Sequence, residues 1–242
     1  MDQPLAYLQT RSQGFLSGIT CEDSLIPGAI LVTAAYDRTR FTPALFDDLE
    51  IPSPKTLHRA VDKRRAEYLA GRAVAKAAMC LLGHAPDPVT TAPGRAPLWP
   101  RGLAGSISHA RGRCACLLSR DTGHGYGVDT EEIASGRSLA AILAETLNTR
   151  ERAIVTQGAL PAATSATLTF SAKEALFKAL YPQVGRHFGF DAAELTAPPT
   201  GDRLSLSLTT DLGNGLASGR RFDIHHRLSG THVLTWLSVP GP

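Results

Sequence analysis

Gly123-His124-Gly125-Tyr126-Gly127-Val128-Asp129-Thr130-Glu131 stands at the middle of a chain of 242 residues and divides it. Gly123-His124-Gly125 punctuates the sequence, and Tyr126–Glu131 reads as the strand that opens the second half. On such a strand Asp129 and Glu131 project from one face, about 6–7 Å apart. Two like charges side by side are unfavourable unless something neutralises them. A hard divalent cation would do so, since Mg²⁺ prefers one or two carboxylates together with phosphate oxygens and water. A strand end running into solvent, with both carboxylates hydrated, is the other reading.

Each half carries a long helix and a few short strands. Before the midpoint, Ile30-Leu31-Val32 reads as a buried strand, followed by a loop through Pro43, Pro52 and Pro54. Thr56–Leu82 has the longest helical pattern, rich in Ala, Leu, Arg and Lys, free of proline and stopped by Gly83. The proline-rich segment Ala85–Gly102 reads as a structured loop. Ser106–Ser108 and Arg113–Leu118 then read as short strands separated by Ala110-Arg111-Gly112. After the midpoint come two helical patterns, Leu139–Thr146 and Thr169–Tyr181, the latter ended by Pro182. Leu204–Leu208 alternates with period two, and Arg221–Arg227 and His232–Val239 complete an antiparallel meander.

Composition narrows the class. The chain is 43% hydrophobic, and 25 Lys and Arg against 22 Asp and Glu leave a formal charge of +3. That excludes a disordered chain, and so mild a basicity does not call for nucleic acid or an anionic membrane as partner. Met1–Thr20 lacks the basic-then-apolar order of a signal peptide, and the run Ala29–Ala35 is far short of the ~20 residues of a membrane span. Cys21, Cys80, Cys114 and Cys116 contain no C-x-x-C pair, which argues against zinc and for a reducing, cytoplasmic setting. Cys114 and Cys116, two apart in an apolar run, would share one face of a strand as small core residues.

Three further constellations could carry chemistry. In Phe170-Ser171-Ala172-Lys173-Glu174-Ala175-Leu176-Phe177-Lys178-Ala179-Leu180-Tyr181, Glu174 and Lys178 are spaced i,i+4 and meet on one helix face. They could form an ordinary exposed ion pair. Alternatively Glu174 is a third carboxylate facing a metal, or a general base, and Lys178 offers its ammonium to a phosphate. The long helix carries Arg59, Lys63, Arg64, Arg65, Arg72 and Lys76. Arg64 and Arg72 lie about two turns (~12 Å) apart with Tyr68 between them, so the run is either a solvated face or the flank of an anionic ligand. The third is Gly94-Arg95-Ala96-Pro97-Leu98-Trp99-Pro100 followed by Gly105-Ser106-Ile107-Ser108-His109, where Arg95 and His109 are the polar residues of interest. A single His after a strand serves structure as readily as it binds a ligand, and no glycine-rich phosphate loop follows a strand.

Taken in order, Arg64-Arg65-Ala66-Glu67-Tyr68-Leu69-Ala70-Gly71-Arg72, Trp99-Pro100, Gly105–His109, Gly127–Glu131 and Phe170–Lys178 resemble the 4′-phosphopantetheinyl transferases. The likeness is to the branch that contains enterobactin synthetase component D, and it runs from about Val61 to Phe190. It implies an α+β fold in which two similar α/β lobes, residues 1–124 and 125–242, form a pseudo-twofold arrangement. Each lobe would have a small, mainly antiparallel sheet and a long helix, with the active site in the crevice between them. It also implies the reaction. A serine hydroxyl of an apo acyl or peptidyl carrier domain attacks the β-phosphate of coenzyme A, and adenosine 3′,5′-bisphosphate leaves.

By that resemblance Asp129, Glu131 and Glu174 would bind Mg²⁺, or Mn²⁺ in its place. Glu174 would also be the base, Lys178 would pair with the α-phosphate, and Arg64, Arg72, Arg95, Ser108 and His109 would hold the nucleotide phosphates. The carriers served would belong to siderophore, polyketide or non-ribosomal peptide assembly, and the enzyme is expected to act as a monomer. Two rival readings fit the residues less well. A metal-dependent nuclease usually wants an acid and a lysine two apart on a strand, not four apart on a helix. A nucleic-acid-binding module on the Arg59–Lys76 face would lack interleaved aromatics and strong net charge.

Overall fold

The computed structural model describes residues 3–92 and 96–241. Two compact units divide between Thr122 and Gly123. In the first, α1 (Gln3–Arg11), β1 (Leu16–Asp23), β2 (Ala29–Tyr36) and the short α2 (Leu45–Asp48) precede α3 (Asp62–Leu81). A two-stranded ribbon follows, β3 (Thr90–Thr91) with β4 (Pro97–Leu98), and then a hairpin of β5 (Ala104–Ala110) and β6 (Arg113–Ser119). The main sheet runs β1-β2-β6-β5, antiparallel throughout.

Helix α3 lies against β2, β5 and β6. It buries Ala66, Ala70, Ala73 and Ala77, whose small side chains on one stripe let the helix sit close to the sheet. Phe15, Leu16, Val32, Leu69, Val74, Met79 and Leu118 fill the core around them. Cys114 and Cys116 join the same core from β6, as their spacing predicts. Burial pushes the Cys114 thiol up to about 12 and raises that of Cys116 as well, so both act as small apolar groups.

Helix α3 is shorter than its periodicity suggests. Val61 is extended (φ −64°, ψ 151°), which isolates a separate 3₁₀ turn at Lys55–Leu57 from the helix that starts at Asp62. β1 has no clean sequence signal because its pairing with β2 shifts register between Ser17 and Thr20, which breaks the alternation.

The second unit begins with β7 (His124–Glu132), followed by α4 (Gly136–Ala141), α5 (Thr149–Ile154) and the 23-residue α6 (Ala162–Val184). β8 (Ala193–Leu195), β9 (Arg203–Leu208), β10 (Arg221–Ser229) and β11 (His232–Pro240) complete an antiparallel sheet ordered β7-β11-β10-β9-β8. The meander read from the sequence is β9–β11, and β11 then pairs with β7 from Pro240↔His124 to His232↔Glu132.

Three helical expectations are corrected here. Leu139–Thr146 is not one helix but the end of α4 followed by a π turn at Ile142–Thr146. α6 starts seven residues before the predicted Thr169. The Thr- and Ser-rich first turns hid it, because hydroxyls compete with the backbone. Here they fold inward, Thr167 Oγ1 donating to the Ala163 carbonyl at 2.7 Å and Thr169 Oγ1 to that of Ser165 at 2.8 Å. Nor does Pro182 end the helix. It lies in the last turn, where it removes one backbone bond, and the chain stops at Gly185 in the left-handed conformation (φ 69°).

α6 packs along β7 and β11, and its backbone comes down onto β7 at two glycines. A Cβ added at Gly125 would stand 2.0 Å from the carbonyl oxygen of Ala179, and one at Gly127 would stand 1.9 Å from that of Ala175. The helix and the strand keep step. Four helical residues rise about 6 Å and two strand residues about 6.6 Å, so 125, 127 and 129 face 179, 175 and 171 in turn.

Gly127→Ala is therefore expected to lower stability by about 3 kcal/mol, at the upper end for an overpacked site. Gly136→Ala, where the added Cβ meets no atom but the backbone stands at φ +51°, should cost only about 1 kcal/mol and so serves as the control for backbone strain without a clash. Urea unfolding midpoints of the two alanine variants that coincide would refute the tight contact.

Candidate active site

Asp129 sits in the middle of β7, only 3% exposed, with α6 above it. Its carboxylate is held at both oxygens. Lys178 Nζ lies 2.8 Å from Oδ1 and also donates to the Val128 carbonyl at 2.9 Å, while Ser171 Oγ donates to Oδ2 at 2.9 Å. Ser171 is in turn 2.8 Å from Thr235 Oγ1 on β11, the residue paired with Asp129 across the sheet. A hydrated strand end is thereby excluded for Asp129. Glu131, two residues on along the strand and half-buried, follows on the same face.

Glu174 lies one helical turn from both Ser171 and Lys178, partly buried. Burial raises its carboxyl above the ordinary glutamate value, and the neighbouring charge of Asp129 raises it further, against opposing pulls from Lys178 and His187. Lys178 thus turns its ammonium across to β7, although the i,i+4 spacing alone would give it to Glu174. Glu174 also lines a small cavity of about 160 Å³ with Phe177, His187, Phe188 and Phe190.

Lys173, next in sequence to Glu174, has a different job. Its ammonium is buried 2.9 Å from Glu151 and donates to the carbonyls of Thr146 and Phe190 at 3.0 Å each. Glu151 also caps α5 by accepting from the backbone N–H of Asn148, and accepts from that of Leu195. One ion pair therefore ties α5, α6, β8 and the segment before β8 together. The Asn148-x-x-Glu151 capping box was the signal for Glu151, but nothing in the sequence connected it to Lys173.

In the first unit, Arg64 and Arg72 both line a cavity of about 1010 Å³ with Tyr68 between them, as the spacing predicts. Arg64 is exposed. Arg72 stacks over the Tyr68 ring at 4.7 Å and donates to the Val89 and Thr90 carbonyls and to Thr91 Oγ1 at 2.7–3.3 Å, so it also pins the proline-rich loop. Burial lowers its pKa.

The rest of the basic run is not one uniform face. Lys63 pairs with Glu67, Arg65 with Asp62 and Lys76 with Glu50. His109 lines a separate hollow of about 280 Å³ with Arg38, Lys63 and Arg111. Ser108 is buried in β5. Arg95 lies outside the described residues.

Residues 53–119 match the family model of the 4′-phosphopantetheinyl transferase N-terminal domain, and residues 125–227 match that of the 4′-phosphopantetheinyl transferase superfamily. The 4′-phosphopantetheinyl transferase Svp of Streptomyces mobaraensis is 32% identical over 201 residues, 81% of this chain and 80% of that one. The chain belongs to the 4′-phosphopantetheinyl transferase superfamily. Enterobactin synthase component D of Salmonella typhi is 38% identical over 155 residues, a match that spans 62% of either chain. The 4′-phosphopantetheinyl transferase PptT of Mycobacterium tuberculosis is 32% identical over 177 residues, covering 72% of this chain and 75% of its own.

The carboxylates of this chain fit a hard divalent cation by their chemistry. They are all oxygen donors, and Glu174 stands near enough to Asp129 for the two charges to oppose each other. Among the described residues no three His, Cys, Asp or Glu side chains are already gathered into a metal cluster, and Asp129 is engaged by Lys178 and Ser171. Ser171 and Thr235 were not legible as site residues, because their importance comes from a contact between distant segments.

Two outcomes follow from these buried charges. With metal removed by a chelator, folded Glu174 binds more protons than unfolded Glu174 between the ordinary value of 4.5 and its raised folded value, so its contribution falls as pH rises through that window. Glu174→Gln should therefore melt higher than the parent at pH 7.5 and equal to it near pH 4. A constant difference across this range would refute the burial of the charge. Lys173→Met leaves Glu151 buried and unpaired, and should cost about 3–5 kcal/mol in chemical denaturation.

Proposed function

We propose that this chain transfers the 4′-phosphopantetheine arm of coenzyme A to a serine hydroxyl of an apo acyl or peptidyl carrier domain, with release of adenosine 3′,5′-bisphosphate. The observation that carries the reading is the Lys178–Asp129 pair beside Glu174, a carboxylate made more basic by burial and by its acidic neighbour. Phosphoryl transfer asks a protein chiefly for positioning and charge neutralisation, and this group supplies both.

Glu174 takes the proton of the attacking serine, directly or through water. Its raised pKa brings it nearer to the range in which a general base works at neutral pH. Lys178, anchored on the Val128 carbonyl, presents its ammonium to the α-phosphate and steadies the leaving group. Asp129 and Glu131, with Glu174, would hold Mg²⁺ or Mn²⁺. When bound, that ion neutralises the charge of the pyrophosphate. Arg64, Arg72, Arg95, Ser108 and His109 serve the nucleotide phosphates. Arg72 does so from a guanidinium already fixed by Tyr68 and the proline-rich loop.

Relatives named enterobactin synthase component D support carriers of siderophore assembly as acceptors, and the proposal extends to carriers of polyketide and non-ribosomal peptide assembly. Among the described residues no helix is long and apolar enough to cross a membrane. We place the enzyme in the cytoplasm as a monomer, with its four thiols reduced.

The test is Mg²⁺-dependent labelling of purified apo acyl and apo peptidyl carrier domains by a fluorescent coenzyme A analogue. No transfer to any of several carriers would overturn the assignment. Asp129→Ala should abolish the metal-dependent rate, and Lys178→Ala should lower kcat about 10²-fold at saturating coenzyme A. A Lys178→Ala variant with parental kcat and lowered stability would reduce the lysine to a structural counter-ion.

A further inference from the structure

We propose that Ser171 and Thr235 are positioning residues that set the orientation of the Asp129 carboxylate through a polarised two-hydroxyl relay. The inference rests on the transferase reading only in taking Asp129 as a cation ligand.

All three side chains are buried. Asp129 is 3% exposed, and Ser171 and Thr235 are each 0% exposed. Ser171 Oγ lies 2.9 Å from Asp129 Oδ2 and 2.8 Å from Thr235 Oγ1. An ionised carboxylate only accepts, so the single Ser171 proton points to Asp129. Ser171 must then receive the proton of Thr235. The direction of the relay is fixed as Thr235 O–H to Ser171 Oγ, and Ser171 O–H to Asp129 Oδ2. Accepting one hydrogen bond makes the serine hydroxyl a stronger donor for the next.

The geometry explains why a relay is needed. Lys178 Nζ lies 2.8 Å from Oδ1, and a hydrogen bond at one oxygen does not by itself set the plane of a carboxylate. A second contact on Oδ2 fixes the plane. Ser171 can supply it because α6 rests on β7 at Gly127 and Gly125, one and two helical turns further along. Thr235 is opposite Asp129 in the β7–β11 ladder and so stands beside the same serine. Second contacts of this kind on ligating carboxylates commonly tune metal affinity by about 10–100-fold.

The experiment titrates Mn²⁺ into the full chain without coenzyme A, following free Mn²⁺ by electron paramagnetic resonance. Ser171→Ala, Thr235→Val and Thr235→Ser are compared with the parent, and thermal melting is recorded for each. Ser171→Ala should raise the Mn²⁺ Kd about 10-fold or more, and Thr235→Val should raise it less. Thr235→Ser, which keeps the donor, should return to the parental Kd even if its melting temperature stays low. In transfer assays Ser171→Ala should recover most of its kcat when Mg²⁺ is raised, a split that lost packing would not give.

Parental Mn²⁺ affinity in Ser171→Ala would overturn the relay. So would Thr235→Ser binding as weakly as Thr235→Val, or a parent that binds no Mn²⁺. Failure of the transferase reading would appear separately, as a parent that binds Mn²⁺ yet labels no carrier.

Discussion

The close approach of α6 to β7 is the constraint on which the second unit depends. At Gly125 and Gly127 a methyl group would fall about 2 Å from helix carbonyl oxygens, so the two backbones are in direct contact. A glycine in a strand ordinarily weakens it, and here the cost is offset by what the contact places. Because four helical residues match two strand residues in length, the glycine contacts set the register of everything beyond them. They put Ser171 over Asp129 and bring the Lys178 ammonium down to the strand.

Burying Asp129 would be costly if it stood unpartnered. The lysine and serine at its two oxygens make the burial tolerable, and they hold the group in one orientation. Glu174 is placed less comfortably, partly buried and beside a like charge, and its carboxyl is correspondingly reluctant to ionise. A group destabilised in the free protein is one that a cation or a substrate proton can relieve. The neighbouring Lys173–Glu151 pair is buried too, and burial lowers the pKa of the lysine, but each of its members is surrounded by hydrogen-bond partners. Two adjacent residues of one helix thus differ in setting, Lys173 tying elements of the unit together and Glu174 standing beside the Asp129 charge.

The strands of the meander, the hairpin around Arg111 and the long helix α3 were legible because period and turn chemistry are local properties. Helix ends were less so. Thr164, Thr167 and Thr169 disguised the start of α6, and Pro182 suggested an end that the last turn tolerates. Among candidate site residues, the pairing of Arg64 with Arg72 around Tyr68 followed from helical spacing and reappears in one cavity. Glu174 and Lys178 were found by the same arithmetic. Their charge partners were not, since a helical wheel says which residues share a face and nothing of what lies opposite. His109 and the two arginines, close in the argument from sequence, open onto different hollows.

By itself, the order of short motifs from Arg64 to Lys178 determined the family and the class of fold, and it singled out the candidate site residues. Motif order survives in the chain because each motif is a local requirement of backbone or charge. Only the tertiary structure decided who partners whom: Lys178 with Asp129, Ser171 with Thr235, and Lys173 with Glu151. Those pairs join residues 22 to 64 positions apart. No local pattern encodes such pairings. They follow from where two glycines let a helix touch a strand, and from which buried charges then have to be satisfied.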